Sequence, residues 1–72
     1  MQRFGEKLRT LRKRRGLTLQ ELARELGFAT HSYLSKIERG HKMPTSQLIL
    51  DASRFFDMSS DQLIKDELEL DE

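Results

Sequence analysis

The chain has 72 residues, no cysteine, and 13 Lys and Arg residues against 12 Asp and Glu residues. This length suits one domain with a small core, and the lack of cysteine excludes disulfides and thiolate metal sites. No apolar run reaches the roughly 18 to 20 residues of a bilayer span, and no signal-peptide pattern follows the basic N-terminus. We therefore expect a cytoplasmic domain that needs no cofactor or membrane.

The first predicted helix covers residues 2–15. Phe4, Leu8 and Leu11 recur at the i, i+4, i+7 spacing that places them on one buried face. Four consecutive cations at 12–15 end the helix, where they complement the negative pole of its dipole.

Residues 18–40 contain two short helical patterns joined by a glycine, the layout of a helix-turn-helix. Thr18 and Glu21 have the spacing of a capping box, and Gly27 suits the point at which a helix stops. Thr30 is the expected cap of the second pattern. Because the second helix of such a unit fits the DNA major groove, this pattern indicates a function as well as a shape.

Two more helices complete the predicted fold. The fourth is capped by Thr45 or Ser46, and the fifth runs from about residue 60 to residue 68. The side chains expected to face the core from these two helices are Ile49, Ala52, Ser53, Phe56, Leu63 and Ile64. We therefore predict a compact, all-α, five-helix domain at 1–66, followed by an acidic, frayed tail at 67–72.

Charge is distributed unevenly along the chain. Residues 1–42 hold eleven Lys and Arg against four Glu, a net charge of +7, whereas residues 43–72 hold two against eight acidic residues, a net charge of −6. The first half suits a polyanion and the second half repels one. Two solvated surfaces that attract each other would explain the same numbers. The helix-turn-helix pattern lies inside the basic half, however, which favours DNA.

Several motifs in this order and spacing are typical of one family. They are Leu8-Arg9-x-Leu11-Arg12, Gly16-Leu17-Thr18, Glu21-Leu22-Ala23, Gly27, and Ser35-Lys36-Ile37-Glu38-Arg39-Gly40 with Pro44. Over about residues 3–66 the chain resembles the lambda-repressor-like (Xre-type) helix-turn-helix DNA-binding family. The resemblance implies a bacterial or phage transcriptional regulator, associated with the nucleoid, that binds operator DNA, usually as a homodimer.

Two features depart from the family pattern. Leu19 stands where family members commonly carry a glutamine that contacts a phosphate, so at that position only the backbone amide is available. The turn after Gly27 is one residue longer than usual, because Leu34 follows it by seven positions instead of six. The additional residue lies within 28–29, and we expect it to change the depth or tilt of the third helix.

The start of the third helix is the candidate base-reading surface, because the N-terminal residues of a recognition helix meet base edges. The candidate base contacts are His31, Ser32, Tyr33 and Lys36. A solvent-exposed helix start is the alternative for His31 and Ser32. For Tyr33 the alternative is packing against Phe28.

Phosphate contacts are expected from residues that flank the third helix. The candidates are Arg14, Arg15, Thr18, Ser35, Arg39, His41 and Lys42. Simple exposure to solvent is the alternative for each of them taken singly. The resemblance gives Arg12 and Glu38 a different role, a buried structural ion pair between the first and third helices. A carboxylate directed at DNA would be repelled, which supports that assignment.

Some apolar residues exceed what the predicted core requires. They are Leu48, Phe55, Met58, Leu68 and Leu70. Isolated exposed leucines are normal, but a twofold interface formed by the fifth helix and its neighbours would also use them. Such a homodimer would present two recognition helices about 34 Å apart, one turn of DNA.

The leading hypothesis is a sequence-specific DNA-binding transcriptional regulator that acts as a repressor or autoregulator. The alternative is a protein-interaction module, such as the antitoxin of a toxin–antitoxin pair, whose acidic half binds a small basic protein. An enzyme is not expected, since the chain has no glycine-rich phosphate loop after a strand and no histidine–carboxylate arrangement. His31 and His41 lie ten residues apart, which is not a metal-ligand spacing.

Overall fold

The computed structural model describes residues 2–70, in which the chain forms five α-helices and no strand. The helices are α1 (Phe4–Arg14), α2 (Leu19–Glu25), α3 (Ser32–Glu38), α4 (Ser46–Phe55) and α5 (Ser60–Ile64). The predicted all-α, five-helix fold is confirmed. Helix α1 lies at the centre and packs against α3 and α5, while α2 packs on α3 and α4 on α5. None of these helices combines the length and apolar character needed to cross a bilayer.

Local sequence explains most helix boundaries. The Thr18 hydroxyl accepts the backbone N–H of Glu21 at 3.1 Å, and the Glu21 carboxylate accepts that of Thr18 at 2.8 Å, so the predicted capping box is present. Gly27 has a φ of +89°, which L side chains rarely adopt, and it ends α2 as predicted. Thr45 caps α4 by accepting the backbone N–H of Leu48 at 3.1 Å.

The predicted start of α3 is one residue too early. His31, not Thr30, occupies the N-cap position, and its side chain forms no capping hydrogen bond. The Thr30 hydroxyl still accepts the backbone N–H of Ser32, at 3.4 Å. Helix α3 therefore starts one residue later than predicted. Thr30 is still close enough to accept the N–H of Ser32, the first residue of α3.

The core contains apolar side chains from all five helices. Its buried apolar residues are Phe4, Leu8, Leu11, Leu22, Ala23, Leu34, Ile37, Leu48, Ala52, Phe56 and Leu63. The expectation that Leu48 is surplus to the core is wrong, since only 2% of it is exposed, and Ile49 is only half-buried. Helix α4 turns the i, i+4, i+8 series of Leu48, Ala52 and Phe56 inward. Leu48 is therefore not available to an interface.

A buried lysine closes the end of α5. Only 1% of Lys7 is exposed, and its Nζ donates to the backbone carbonyls of Gln62, Lys65 and Leu68 at 2.6, 2.8 and 2.6 Å. These carbonyls lie at and after the end of α5, where the helix dipole favours a cation. The helix ends at Ile64, earlier than predicted, because the chain turns there to bring the carbonyls around the ammonium.

The segment after α5 lies against the start of α1. The Asp66 carboxylate accepts the backbone N–H of Arg3 at 2.9 Å and that of Gln2 at 3.0 Å. The Arg3 guanidinium in turn lies 3.3 Å from the Glu69 carboxylate. The expectation of a frayed tail does not describe residues 67–70, while Asp71 and Glu72 lie outside the described residues.

We expect Asp66 to make stability depend on pH in acid. Hydrogen bonds from the backbone N–H groups of Arg3 and Gln2 lower the pKa of Asp66 below its usual 3.8. Because the folded-state pKa is the lower one, this stabilisation is complete above the unfolded-state pKa and is lost as pH falls through the folded-state pKa. Asp66→Asn should therefore lower the melting temperature at neutral pH and have progressively less effect in acid.

The measurement is a pair of thermal melts across this pH range, with Glu67→Gln as the control that removes a neighbouring charge. The control should shift the melting temperature much less at neutral pH. A deficit for Asp66→Asn that stays constant from neutral pH down to about pH 2 would contradict the assignment.

Candidate nucleic-acid interface

An ion pair attaches the end of α3 to α1. Arg12 Nε donates to Glu38 Oε2 at 2.8 Å and Arg12 Nη2 donates to Glu38 Oε1 at 3.1 Å, a bidentate arrangement. Arg12 Nη1 also donates to the Leu17 carbonyl at 2.9 Å. The two side chains are only 12% and 5% exposed. The structure thus brings Arg12 and Glu38 together as the family resemblance implies.

Helix α1 also approaches α3 closely at Gly5, a residue that was not predicted to have a role. A Cβ at Gly5 would overlap the Ile37 carbonyl oxygen and lie 3.1 Å from the Glu38 Cα. Only a residue without a side chain permits this crossing. A lone glycine inside an amphipathic helical pattern was the available signal. Together with the Arg12–Glu38 ion pair, this contact determines the position of α3 relative to α1.

Three of the four candidate base contacts lie on the outer surface. His31, Ser32 and Lys36 are all exposed, and Ser32 and Lys36 are four residues apart, on one face of α3. The Lys36 ammonium forms no hydrogen bond or ion pair with the described part of the chain. This face can therefore present neutral and positive donors to a ligand.

The fourth candidate, Tyr33, is half-buried and packs against the protein itself. Its ring centroid lies 5.3 Å from that of Phe28, with the ring planes at 51°. Such tilted aromatic pairs are favourable. Of the two predictions for Tyr33, the structure therefore shows the packing against Phe28.

The candidate phosphate contacts fall into two groups. Arg39, His41 and Lys42 are exposed at the exit of α3, and Arg39 Nε donates to the Ser35 carbonyl at 3.4 Å. A groove of about 240 Å³ lies beside Arg39. It is lined by Arg9, Arg12, Leu19, Ser35, Glu38 and Arg39. Arg9 is exposed and basic, and it was not among the predicted phosphate contacts.

The second group lies near the end of α1. Arg14 and Thr18 are exposed, and the Thr18 hydroxyl also caps α2. Arg15 is engaged elsewhere, since its guanidinium carbon lies 5.5 and 5.2 Å from the ring centroids of Phe55 and Phe56. This cation–π contact links the end of α1 to α4.

The surplus apolar residues differ in how far they are exposed. Phe55, Met58 and Leu70 are half-buried and pack against the core, while Leu68 is 37% exposed. Within residues 2–70, no three His, Asp or Glu side chains lie close enough together to hold a metal ion.

The protein-family model of the helix-turn-helix domain matches residues 3–65 of this chain. The chain belongs to the Xre-type helix-turn-helix family. It is 37% identical over 60 residues to the HTH-type transcriptional regulator YazB of Bacillus subtilis, an alignment that covers 83% of this chain and 86% of YazB. It is 40% identical over 71 residues to the HTH-type transcriptional regulator SinR of Bacillus licheniformis, covering 94% of this chain and 63% of SinR. Both relatives are named as HTH-type transcriptional regulators.

A solved structure of a gene regulator has the same fold. The clp gene regulator ClgR from Corynebacterium glutamicum superposes with a TM-score of 0.76 at 32% identity, covering 88% of this chain and 66% of that protein. The chain thus spans most of YazB but only about two thirds of SinR and ClgR. The comparisons support a DNA-binding regulator.

Proposed function

We propose that the protein is a sequence-specific DNA-binding transcriptional regulator that reads the major groove of an operator with α3. One observation carries this proposal. Glu38 is the acidic residue of α3, and its carboxylate is held inward by Arg12, so the exposed face at Ser32 and Lys36 bears no negative charge. A helix surface of this kind suits a polyanion.

The proposed mechanism separates base reading from backbone contact. Lys36 would donate to a guanine O6 and N7 edge, with His31 and Ser32 at the helix start beside it. Arg14, Thr18, Ser35, Arg39, His41 and Lys42 would contact phosphates. These contacts position α3 without reading sequence, and they make affinity fall steeply with salt.

We further propose that this is a bacterial or phage regulator that acts in the cytoplasm. It would act as a homodimer and repress its own operator. Four partly exposed apolar residues on and after α4 would supply the interface, namely Phe55, Met58, Leu68 and Leu70. A twofold axis would then place two copies of α3 about 34 Å apart.

The antitoxin-like alternative has less support from the contacts of the acidic half. Asp66 and Glu69 already bond to Arg3, and Asp61 lies 3.8 Å from Lys65. Three of the eight acidic residues of this half are therefore engaged within the chain, which reduces the charge left for a small basic partner. Purification of the native protein together with a small basic protein would favour this alternative.

Lys36→Ala provides the mutational test of base reading. We expect the affinity for the operator to fall by about 1–3 kcal/mol, the value of a bidentate base contact, with little change for unrelated DNA. The measurement is a footprint and titration on the DNA upstream of its own gene at several salt concentrations. Lys13→Ala, which removes an exposed cation from α1, is the matched control and should change both affinities only slightly.

Equal losses on operator and unrelated DNA would assign Lys36 to phosphate contact. A native chain that protects no sequence and binds no duplex even at low salt would overturn the proposed function itself.

A further inference from the structure

Tyr33 lies against two separate parts of the chain, the turn before α3 and the loop before α4. Its ring packs on Phe28, in the turn before α3. Its hydroxyl oxygen accepts the backbone N–H of Thr45 at 3.3 Å, just before α4. The Lys42 Nζ lies 6.0 Å from the centroid of the same ring. One side chain therefore spans from the entry of α3 to the entry of α4.

The loop at 41–45 is held at both ends, and the Tyr33 side chain contributes at the second end. Its first residue is held by the backbone, since the N–H of His41 donates to the Lys36 carbonyl at 2.8 Å. Its last residue, Thr45, donates its N–H to Tyr33. Lys42, a proposed phosphate contact, lies between these two attachments. The position of its ammonium relative to α3 is thus set partly by Tyr33.

We propose that Tyr33 is a positioning residue for DNA binding, which holds the phosphate-contacting loop at 41–45 in register with the base-reading face of α3. This inference rests on the proposed function. It also assigns Tyr33 away from base reading, because a ring packed on Phe28 and a hydroxyl bonded to Thr45 are already engaged.

The conservative variant Tyr33→Phe tests the proposal, because it keeps the ring and removes only the hydroxyl. We expect affinity to fall about fivefold, the effect of one neutral hydrogen bond, equally for operator and unrelated DNA. The preference for each base pair of the operator should not change. The plot of log affinity against log salt should become shallower by up to about 0.9, the contribution of one phosphate contact, as Lys42 leaves its place.

A double-mutant cycle distinguishes positioning from general destabilisation. In a Lys42→Ala background, Tyr33→Phe should cause little further loss, because the contact that it positions is already absent. In a Lys36→Ala background the two losses should multiply, which makes that pair the control. Hydrogen exchange adds a measurement without DNA, in which Tyr33→Phe should speed exchange of the Thr45 amide and leave core amides of α2 unchanged.

Each alternative result overturns the inference. Loss of preference at a single base pair would make Tyr33 a base reader. Unchanged affinity, losses that multiply with Lys42→Ala, or unchanged exchange at Thr45 would each reject the positioning role. If native protein binds DNA and Tyr33→Phe binds equally well, only this inference fails. If native protein binds no DNA, the proposed function fails as well.

Discussion

Glu38→Ala is expected to lower the free energy of unfolding by about 3–5 kcal/mol, the usual cost of removing one partner from a buried ion pair. The carboxylate is 5% exposed and receives two hydrogen bonds from Arg12. Its loss leaves the guanidinium buried with only the Leu17 carbonyl as partner. Chemical denaturation of native and variant protein measures the difference.

Arg12→Ala and the double variant complete this test. Because the pair acts as a unit, the double variant should be much more stable than the sum of the two single losses implies. A paired apolar replacement, Arg12→Met with Glu38→Met, should restore most of the stability, because buried ion pairs contribute little net free energy compared with apolar packing. An unchanged midpoint for Glu38→Ala would show that the pair is not buried in solution.

Lys7→Ala should have the second large effect, a loss of about 2–5 kcal/mol, the range for truncating a long buried side chain. The variant removes the buried stem and also leaves the carbonyls of Gln62, Lys65 and Leu68 without their shared donor. Denaturation measures the total loss. Hydrogen exchange should show the greatest local loss of protection in α5.

Lys7→Met is the matched variant, because it keeps a stem of similar length and removes the ammonium. It should recover the part of the unfolding free energy that comes from packing of the stem. It should not recover the part that comes from the hydrogen bonds to the three carbonyls. If Lys7→Met were as stable as the native chain, the ammonium would contribute nothing and the three hydrogen bonds would not be stabilising. Lys13→Ala, exposed on the same helix, controls for the loss of a cation.

These variants have a consequence for DNA binding, because α1 orients α3. The close approach at Gly5 and the Arg12–Glu38 pair both attach the C-terminal end of α3 to α1, while Lys7 and Asp66 attach the segment that includes α5. Partial loss of the contacts between α1 and α3 should therefore change the presentation of α3 before the helices themselves melt.

The sequence by itself determined the features that depend on neighbouring residues. The capping box at Thr18 and the glycine that ends α2 need contacts only within about five positions, and the apolar spacing of α1 follows from helical geometry. The Arg12–Glu38 contact spans 26 positions, and it was predictable only through the family resemblance. The motifs shared with the family, such as the run from Ser35 to Gly40, also indicated the family and therefore the proposed DNA interface.

Tertiary structure alone decided the contacts between residues that the sequence keeps far apart. Lys7 reaches carbonyls 55 to 61 positions away, and Asp66 accepts the backbone N–H groups of Gln2 and Arg3, 64 and 63 positions earlier. The inward face of α4 depended on its rotation against the core, which buried Leu48. Tyr33 joined Phe28 to Thr45 because of where the turn and loop pack. Periodicity specifies that a helix has a buried face, but helix crossings decide which distant groups meet there.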